Sequence, residues 1–238
     1  MLIKSQAIVL SSLKYGDSDL IIKTYTLQRG VSSYLLRGIL KPSKGKLKLA
    51  YFQPLAQLSI EENYKPKASL NSIREVKIDY HYATLYTNVV KSSIALFLSE
   101  ILSNILKEEE QNEDLYYFLT TSLQVLDQEE KVSNFHLLFL VKLTKYLGIY
   151  PDNETNELPY FNLSDAKFEA IKIDGSIEGK NVVVLRALLG TDFDALKEIK
   201  LSSNERQSFL ATLIVYFELH LSGFKKPKSL EVLNNLFK

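Results

Sequence analysis

Lysines are concentrated in one short stretch of the sequence that also contains proline and glycine. The stretch carries four lysines within eight residues, Lys41, Lys44, Lys46 and Lys48. Because these charges and turn-forming residues disfavour a buried strand or helix, we expect an exposed cationic loop. Diffuse positive charge suits the phosphates of a nucleic acid, which tolerate imprecise geometry. The alternative is a solvated loop that only keeps the protein in solution.

Further cations and several tyrosines surround this loop in the first third of the chain. Four cations extend the candidate DNA-binding set: Lys14, Lys23, Arg29 and Arg37. Tyrosines interleave with them at positions 15, 25, 34 and 51, of which we assign Tyr34 and Tyr51 to the site. An exposed ring that stacks on a base contributes roughly 1–3 kcal/mol. The alternative for each tyrosine is packing, since aromatic residues are common in strands.

Residues that carry catalysis or bind metals are sparse. The sequence has no cysteine, no P-loop, no G-x-S-x-G and no H-E-x-x-H motif. Its three histidines lack any paired-ligand spacing: His81, His136 and His220. Asp17 and Asp19 form a pair that could hold a divalent metal, but the flanking Gly16 and Ser18 favour a turn. We therefore predict no catalytic residue, no metal and no cofactor.

Charge is unevenly distributed along the chain, although the net charge is only +1. Residues 1–80 contain 13 Lys and Arg against 6 Asp and Glu, whereas residues 81–238 contain 16 against 22. A basic first third joined to an acidic remainder indicates two modules with different partners. The basic module suits a polyanion, either nucleic acid or an anionic membrane surface.

The composition, 46% hydrophobic and 24% charged, is typical of a globular protein with a buried core. No signal peptide is recognisable, and no apolar run approaches the roughly 18 residues that span a bilayer. The lack of cysteine fits a reducing compartment. We therefore expect a cytoplasmic protein without a membrane partner.

Residues 1–80 are expected to form a small β-barrel. Runs rich in β-branched and aliphatic residues predict five strands, over residues 7–13, 20–27, 31–40, 52–60 and 69–77. Gly30 permits the positive φ of a tight hairpin between the second and third strands. Pro54 belongs at an edge or a bulge, since it cannot donate a ladder hydrogen bond. Five strands without an intervening helix predict a five-stranded OB-fold barrel.

Residues 81–238 are expected to form an all-α domain, so that the fold class is α+β. Apolar residues recur every three or four positions from Tyr82 to Ile105, which predicts a long helix. Ser202 and Glu205 fit a capping box at the start of a later helix. Residues 152–180 are polar and allow a small hairpin around Asp174-Gly175. The other predicted helices cover residues 113–126, 132–147, 181–189 and the stretch that follows Ser229.

Several motifs, taken in order along the chain, resemble the RecO family of bacterial recombination mediators. The run from Tyr15 to Gly30 is similar to the family's first hairpin, an aromatic-Gly-acidic turn and a strand ending in Thr-x-x-x-Gly. Arg37-Gly38 falls where the family's third strand has a basic residue and glycine. Phe52-Gln53-Pro54-Leu55 resembles the family's next strand, and Lys228-Ser229-Leu230-Glu231-Val232-Leu233 is similar to the family's closing helix.

This resemblance implies a function in DNA repair and homologous recombination. It implies an N-terminal OB-fold (residues 1–80) that binds single- and double-stranded DNA and promotes strand annealing. It further implies a C-terminal helical domain (residues 81–238), and help in loading recombinase in the RecF pathway. The implied partners are RecR and the C-terminal tail of single-stranded-DNA-binding protein. Many family members have a four-cysteine zinc site where this chain has Asp152-Asn153-Glu154-Thr155-Asn156-Glu157, so a zinc-free version is implied.

Two functions of different classes remain open at this point. In the first, the protein is a binding module whose cationic face lowers the repulsion between two strands until they pair. In the second, it is a protein-interaction adaptor whose barrel is only a scaffold or a weak RNA contact. Clustering of the barrel cations on one face favours the first, and scattering favours the second. An enzyme is the least favoured class.

Overall fold

A computed structural model describes residues 1–41, 47–107 and 110–237 and divides the chain into two units, residues 1–128 and 129–238. The sequence prediction divided the domains at residue 80, so the structural division places two of the predicted helices in the same unit as the strands. The assignment of DNA binding to residues 1–80 and of partner binding to residues 81–238 stays a prediction. None of the described helices is long and apolar enough to cross a membrane.

The first unit contains one antiparallel sheet of five strands. The strands are β1 Leu2–Tyr15, β2 Asp19–Thr26, β3 Gly30–Leu36, β4 Gln57–Asn63 and β5 Ser72–Ile78. Their order in the sheet is β3-β2-β1-β4-β5, so that β1 is central. Ala7 fixes the register, since it pairs with Thr26 on one side and with Leu58 on the other. Gly30 has a φ of 61°, which confirms the predicted tight turn between β2 and β3.

The two edge strands of this sheet meet at a single bridge. Tyr34 of β3 and Asn71 form an isolated parallel bridge. The N–H of Leu35 donates to the carbonyl of Asn71 at 2.9 Å, and the N–H of Asn71 donates to the carbonyl of Ser33 at 3.0 Å. The five-stranded sheet is therefore confirmed. The closed OB-fold barrel is not confirmed, because no continuous ladder joins β3 to β5 within the described ranges.

Alternate positions along the strands build the core of the sheet. Leu20 and Ile22 of β2, with Leu58 and Ile60 of β4, are buried against one another because every second side chain points to the same face. The fourth predicted strand started at Phe52, but β4 starts only at Gln57. A 3-10 turn occupies Leu49–Phe52, and the chain then bends through Pro54 and through Leu55, whose φ is 62°.

Two helices complete the first unit, α1 Val89–Ile105 and α2 Glu113–Gln128. The sequence prediction began the first of them at Tyr82, which was wrong by about two turns. Asn88 caps α1 instead, and its side chain accepts hydrogen bonds from the N–H groups of Val90 and Lys91. The apolar periodicity continues upstream of the helix because Leu85 is buried in a non-helical segment.

Asp127, near the end of α2, holds the segment that precedes α1. Its carboxylate accepts hydrogen bonds from the N–H groups of Ala83, Thr84 and Leu85 at 2.8–2.9 Å. Lys91, which is 3% exposed, donates from Nζ to the Asp127 carbonyl at 2.6 Å and to Thr84 Oγ1 at 2.7 Å. Burial raises the pKa of Asp127, but the three N–H donors lower it by more, so that its pKa lies below the ordinary value.

The second unit is mainly helical but not all-α. Its helices are α3 Phe135–Tyr146, α4 Lys180–Leu189, α5 Ser203–His220 and α6 Leu230–Leu236. Three strands, β6 Tyr160–Asn162, β7 Lys167–Glu169 and β8 Ser176–Glu178, form an antiparallel sheet in the order β7-β6-β8. The prediction allowed only a hairpin around Asp174-Gly175, but β7 and β8, which flank that turn, each pair with β6 and not with each other. Strands of three residues show too little alternation to be recognised. Phe161 and Phe168 anchor it, with buried rings packed edge to face at 4.9 Å.

The sequence signals at the ends of helices predicted the structure more reliably than the apolar periodicity did. The capping box of α5 is confirmed, since Ser202 Oγ accepts from the N–H of Glu205, and the Glu205 carboxylate accepts from the N–H of Ser202. Gly148, with a φ of 71°, follows α3 as predicted.

Replacing Asp127 by alanine leaves three backbone N–H groups without their acceptor. Each unsatisfied buried polar group costs roughly 1–3 kcal/mol, so we expect the free energy of unfolding at pH 7 to fall by about 3 kcal/mol. Urea unfolding measures the difference. Glu130→Ala, which removes an exposed carboxylate, is the control and is expected to stay within about 0.5 kcal/mol of the parent. Equal stability of D127A and the parent would contradict this role of Asp127.

The stability difference between the parent and D127A depends on pH in a defined direction. The pKa of Asp127 is lower in the folded protein than in the unfolded chain. Its stabilising contribution is therefore complete above the ordinary aspartate pKa of about 4 and is lost as pH falls through the lowered value. We expect the stability difference between the parent and D127A to be smaller at pH 3 than at pH 7, again by urea unfolding.

Candidate nucleic-acid interface

Three of the predicted cations follow β3, on either side of residues 42–46, which lie outside the described part of the chain. Arg37 comes directly after the strand, Lys41 lies in the turn beyond it, and Lys48 precedes the 3-10 turn. All three side chains are exposed, and none of them makes an ion pair within the described part of the chain. Lys44 and Lys46, the other lysines of the predicted loop, lie outside the described residues.

The chain after β3 is fastened to the turn between β1 and β2. The N–H of Gly38 donates to the Asp19 carboxylate at 2.8 Å, and the N–H of Leu40 donates to the carbonyl of Ser18 at 3.0 Å. The hydrogen bond from Gly38 lowers the pKa of Asp19. Asp19 therefore organises a turn, as its sequence context predicted, and holds Arg37 and Lys41 at the end of the sheet that also carries Lys14.

Sequence reasoning missed two further cations, Lys65 and Lys67, in the loop between β4 and β5. Both are exposed, and the N–H of Lys65 donates to Asn71 Oδ1 at 2.8 Å, which anchors the loop beside the bridge to β3. The run Lys65-Pro66-Lys67 was the available signal, since two lysines around a proline are typical of an exposed turn.

A groove of about 500 Å³ lies between β3 and β5, and it brings Arg37 and Lys65 to one place. Arg37 arrives from the end of β3 and Lys65 from the loop before β5. Arg37, which the sequence predicted for the site, and Lys65, which it did not, therefore share one surface with polar and apolar neighbours. The described lining residues are Leu35, Leu36, Arg37, Leu47, Asn63, Lys65, Leu70, Asn71, Ser72 and Ile73.

Lys23, although predicted for the site, has a structural role. Its Nζ donates to the carbonyls of Ser103 at 2.6 Å and Leu106 at 2.8 Å, at the C-terminal end of α1. Those carbonyls have no partner inside the helix, and a lysine there also favours the negative end of the helix dipole. Burial lowers the pKa of Lys23, and Lys107 lowers it further. We therefore remove Lys23 from the candidate DNA-binding set.

Arg29 is likewise committed to the interior of the first unit. Its guanidinium donates to Glu62 Oε1 at 2.5 Å and lies over the ring of Tyr64, with 4.2 Å between Cζ and the ring centroid. The Glu62 side chain is 0% exposed, whereas that of Arg29 is 23% exposed. An arginine that neutralises a buried carboxylate is not available to a phosphate, so Arg29 also leaves the set.

The two predicted tyrosines differ in accessibility. Tyr34 is 0% exposed within the core of the sheet, and burial raises its pKa. A ring without an exposed face cannot stack on a base, so the assignment of Tyr34 is corrected to core packing. Tyr51 is half-buried and packs against the same core from the 3-10 turn. Among the described tyrosines of residues 1–80, Tyr15 at the end of β1 is the most exposed.

No group of histidine, aspartate and glutamate side chains in the described part of the chain is arranged to hold a metal ion. His136 is fully buried, stacks on Phe237 and has a pKa lowered to about 3 by burial, with Arg206 lowering it further. His220 is hydrogen-bonded to the carbonyl of Leu163 at 2.7 Å. These surroundings are those of packing residues rather than of metal ligands.

Several cations of the second unit also have structural partners. Lys142 forms an ion pair with Asp192 at 2.5 Å. Arg186 donates to the carbonyls of Asn156 and Leu158, and Arg206 donates to Asn134 Oδ1 at 3.0 Å. These three side chains therefore hold the helices and the loop before β6 in place.

Comparisons with known proteins agree with the resemblance seen in the motifs. A family model described as Recombination protein O N terminal matches residues 1–82, and one described as Recombination protein O C terminal matches residues 86–231. A DNA repair protein RecO from Christiangramia forsetii is 48% identical over 238 residues, which is 100% of both chains. Proteins of the same name from Flavobacterium psychrophilum and Porphyromonas gingivalis are 42% and 33% identical, again over 100% of both chains.

The pair of Arg29 and Glu62 yields a stability prediction. Arg29→Met leaves the Glu62 carboxylate buried without its counter-charge. We expect the free energy of unfolding to fall by about 2–3 kcal/mol, less than the roughly 3–5 kcal/mol of a fully buried pair because Arg29 is partly exposed. Replacing both residues, as in R29M/E62L, should restore part of the loss. Urea unfolding measures both variants, and a double variant less stable than R29M contradicts the interpretation.

A second prediction concerns metal dependence. We expect EDTA to leave both the thermal unfolding temperature and DNA binding unchanged, because the chain has no cysteine and its histidines are not clustered. Elemental analysis of the purified protein accompanies the measurement. A stoichiometric zinc signal whose removal unfolds the protein would contradict this prediction.

Proposed function

The chain belongs to the RecO family, and from that premise we propose that it is a DNA repair protein that binds single- and double-stranded DNA through the cationic surface of its first unit. We define this surface by four side chains: Arg37, Lys41, Lys48 and Lys65. The observation that supports the proposal best is that all four are exposed and none makes an ion pair among the described residues, whereas Lys23 and Arg29 of the same unit are committed to internal partners.

The mechanism needs charge neutralisation and no bond chemistry. Phosphates on two strands repel each other, and each cation that contacts a phosphate releases counterions into solution. A strand held on the cationic surface therefore presents less charge to its complement, which favours the first base pairs of annealing. Lysines and arginines that make no direct ion pair suit this role because they lose no such pair on binding DNA.

We also infer that the sheet of the first unit is an OB-type barrel. The order β3-β2-β1-β4-β5 becomes that of a five-stranded barrel if β3 and β5 come together, and the bridge between Tyr34 and Asn71 lies between those two strands. In OB-folds, oligonucleotides bind on one face and on the loops that border it. The loop that carries Lys65 corresponds to such a border.

The remaining proposals follow from membership of the family. We propose that the protein helps to load recombinase in the RecF pathway, with RecR and the C-terminal tail of single-stranded-DNA-binding protein as partners. In the domain predicted to bind partners, exposed cations such as Lys228 suit the binding of an acidic peptide tail. We propose a binding protein rather than an enzyme, acting in the cytoplasm, where bacterial DNA is located.

The test removes the charges of the cationic surface. We expect the variant R37Q/K41Q/K48Q/K65Q to bind oligonucleotides more weakly and by the same factor for every sequence, because phosphate contacts carry no sequence information. The log–log salt slope for single strands should shrink by about 0.7 for each lost contact, or about 2.8 in all. Fluorescence anisotropy at several salt concentrations gives affinity and slope, and gel-based annealing gives the activity.

The matched control is K131Q/K197Q/K200Q/K228Q, which removes the same number of exposed charges from the second unit. We expect its affinity to stay near that of the parent. Equal losses in both variants would show that only net charge matters. If the first variant binds and anneals DNA like the parent, the proposed surface is wrong and the adaptor function is favoured.

A further inference from the structure

We propose that the groove between β3 and β5 takes one unstacked base of a single strand, with Arg37 and Lys65 against the adjoining backbone. This inference rests on the proposed DNA binding and adds a preference for single strands at the same surface. It concerns contacts to a base, which the charge mechanism does not require.

The groove exists because β3 and β5 meet only at one bridge. The backbone hydrogen bonds of Asn71 hold the two strands together at Tyr34, and no further pairing joins them within the described ranges. The space that remains, about 500 Å³, is within the roughly 300–1,000 Å³ of pockets that bind small molecules. A groove of this size has room for a base, and only an unstacked base can enter it, because the bases of a duplex are stacked inside the helix.

The floor and the rim of the groove differ in polarity. Leu35, Leu47 and Leu70 line the groove and are only half-buried, so the floor offers apolar surface to the face of a base. Asn63 and Ser72 are exposed at the rim, where a long 3.5 Å contact joins Asn63 Nδ2 to Ser72 Oγ. Because this hydrogen bond is long, the Asn63 amide and the Ser72 hydroxyl retain donors and acceptors for the edge of a base. An apolar floor with a few polar groups at the rim is typical of ligand sites.

The two cations have different roles at the groove. The planar guanidinium of Arg37 suits stacking on a base as well as contact with phosphate, whereas the ammonium of Lys65 acts as a point charge. The backbone of Lys65 is fixed to Asn71 Oδ1, so its side chain starts from a defined position beside the bridge. Proteins that bind RNA or single-stranded DNA commonly stack bases on guanidinium groups and aromatic rings, because unpaired bases expose both faces.

The first experiment uses the unaltered protein. Its affinity is measured for a normal single-stranded oligonucleotide, for an abasic strand with the same phosphates, and for a duplex of the same length, at one salt concentration. We expect the abasic strand to bind about tenfold more weakly than the normal strand, within the range for one base contact. Equal affinity for the normal and abasic strands overturns the inference.

Two variants locate the effect. Ser72→Ile fills the groove without adding an aromatic plane, and a β-branched residue is well tolerated at an exposed strand position. We expect S72I to lose about tenfold in affinity for the normal strand, with unchanged duplex binding and salt slope. Ser12→Ile is the matched control, an exposed serine of β1 outside the groove. Arg37→Lys keeps the charge but not the plane, so it should lower the affinity for the normal strand more than that for the abasic strand.

The outcomes separate this inference from the proposed function. If the protein binds all three ligands with a steep salt dependence but S72I behaves like S12I, the groove inference fails and the charge mechanism stands. If S72I loses duplex and single-strand affinity equally, the groove is only part of the electrostatic surface and the inference also fails. If the parent shows no salt-dependent binding to any of them, the proposed function itself fails. The abasic comparison and R37K remain decisive even if S72I does not fold.

Discussion

The backbone hydrogen bonds of Asn71 decide where the functional surface of the first unit lies. They join β5 to β3 at Tyr34 and so connect the two edges of a sheet that is otherwise built from sequential antiparallel pairs. The side chain of the same residue accepts the N–H of Lys65. One residue thus sets the separation of the edge strands, the position of the loop before β5 and the groove beside Arg37. Without this junction, Arg37 and Lys65 would belong to opposite edges of an open sheet.

The cations of the first unit divide into two groups according to what surrounds them. Lys23 serves the carbonyls at the end of α1, Arg29 neutralises the buried Glu62, and Lys91 supports Asp127. A buried polar group needs a partner because desolvation is expensive, and these three side chains meet that need. The exposed cations do not stabilise a buried polar group and can exchange water and counterions for phosphate. The basic charge of residues 1–80 therefore stabilises the fold as well as providing a surface for DNA, and only part of it is available to a ligand.

Much of the fold could be predicted from the sequence where the signal is local. The positions of the five strands follow from β-branched runs, and the capping box of α5 follows from Ser202 and Glu205. Errors arose where non-local partners decide the structure. Tyr82 to Asn88 has helical periodicity but is held in a non-helical path by the carboxylate of Asp127, more than 40 residues later. The three-residue strands of the second unit carry no period at all, and burial of Phe161 and Phe168 is what specifies them.

The candidate site shows the same division between local and tertiary information. The sequence by itself determined that the first third of the chain is basic, that its strands form a sheet and that Lys41 and Lys48 belong to a loop, because charge, alternation and turn residues act over a few positions. It placed Arg37 within the third strand, which in fact ends at Leu36. It could not distinguish Lys23 from Arg37, since it placed both cations within strands. Only the tertiary structure decided between them, because the carbonyls that engage Lys23 lie about 80 residues away, whereas Arg37 makes no direct ion pair among the described residues. Whether a cation is free or committed depends on burial and on distant partners, which are properties of the folded chain.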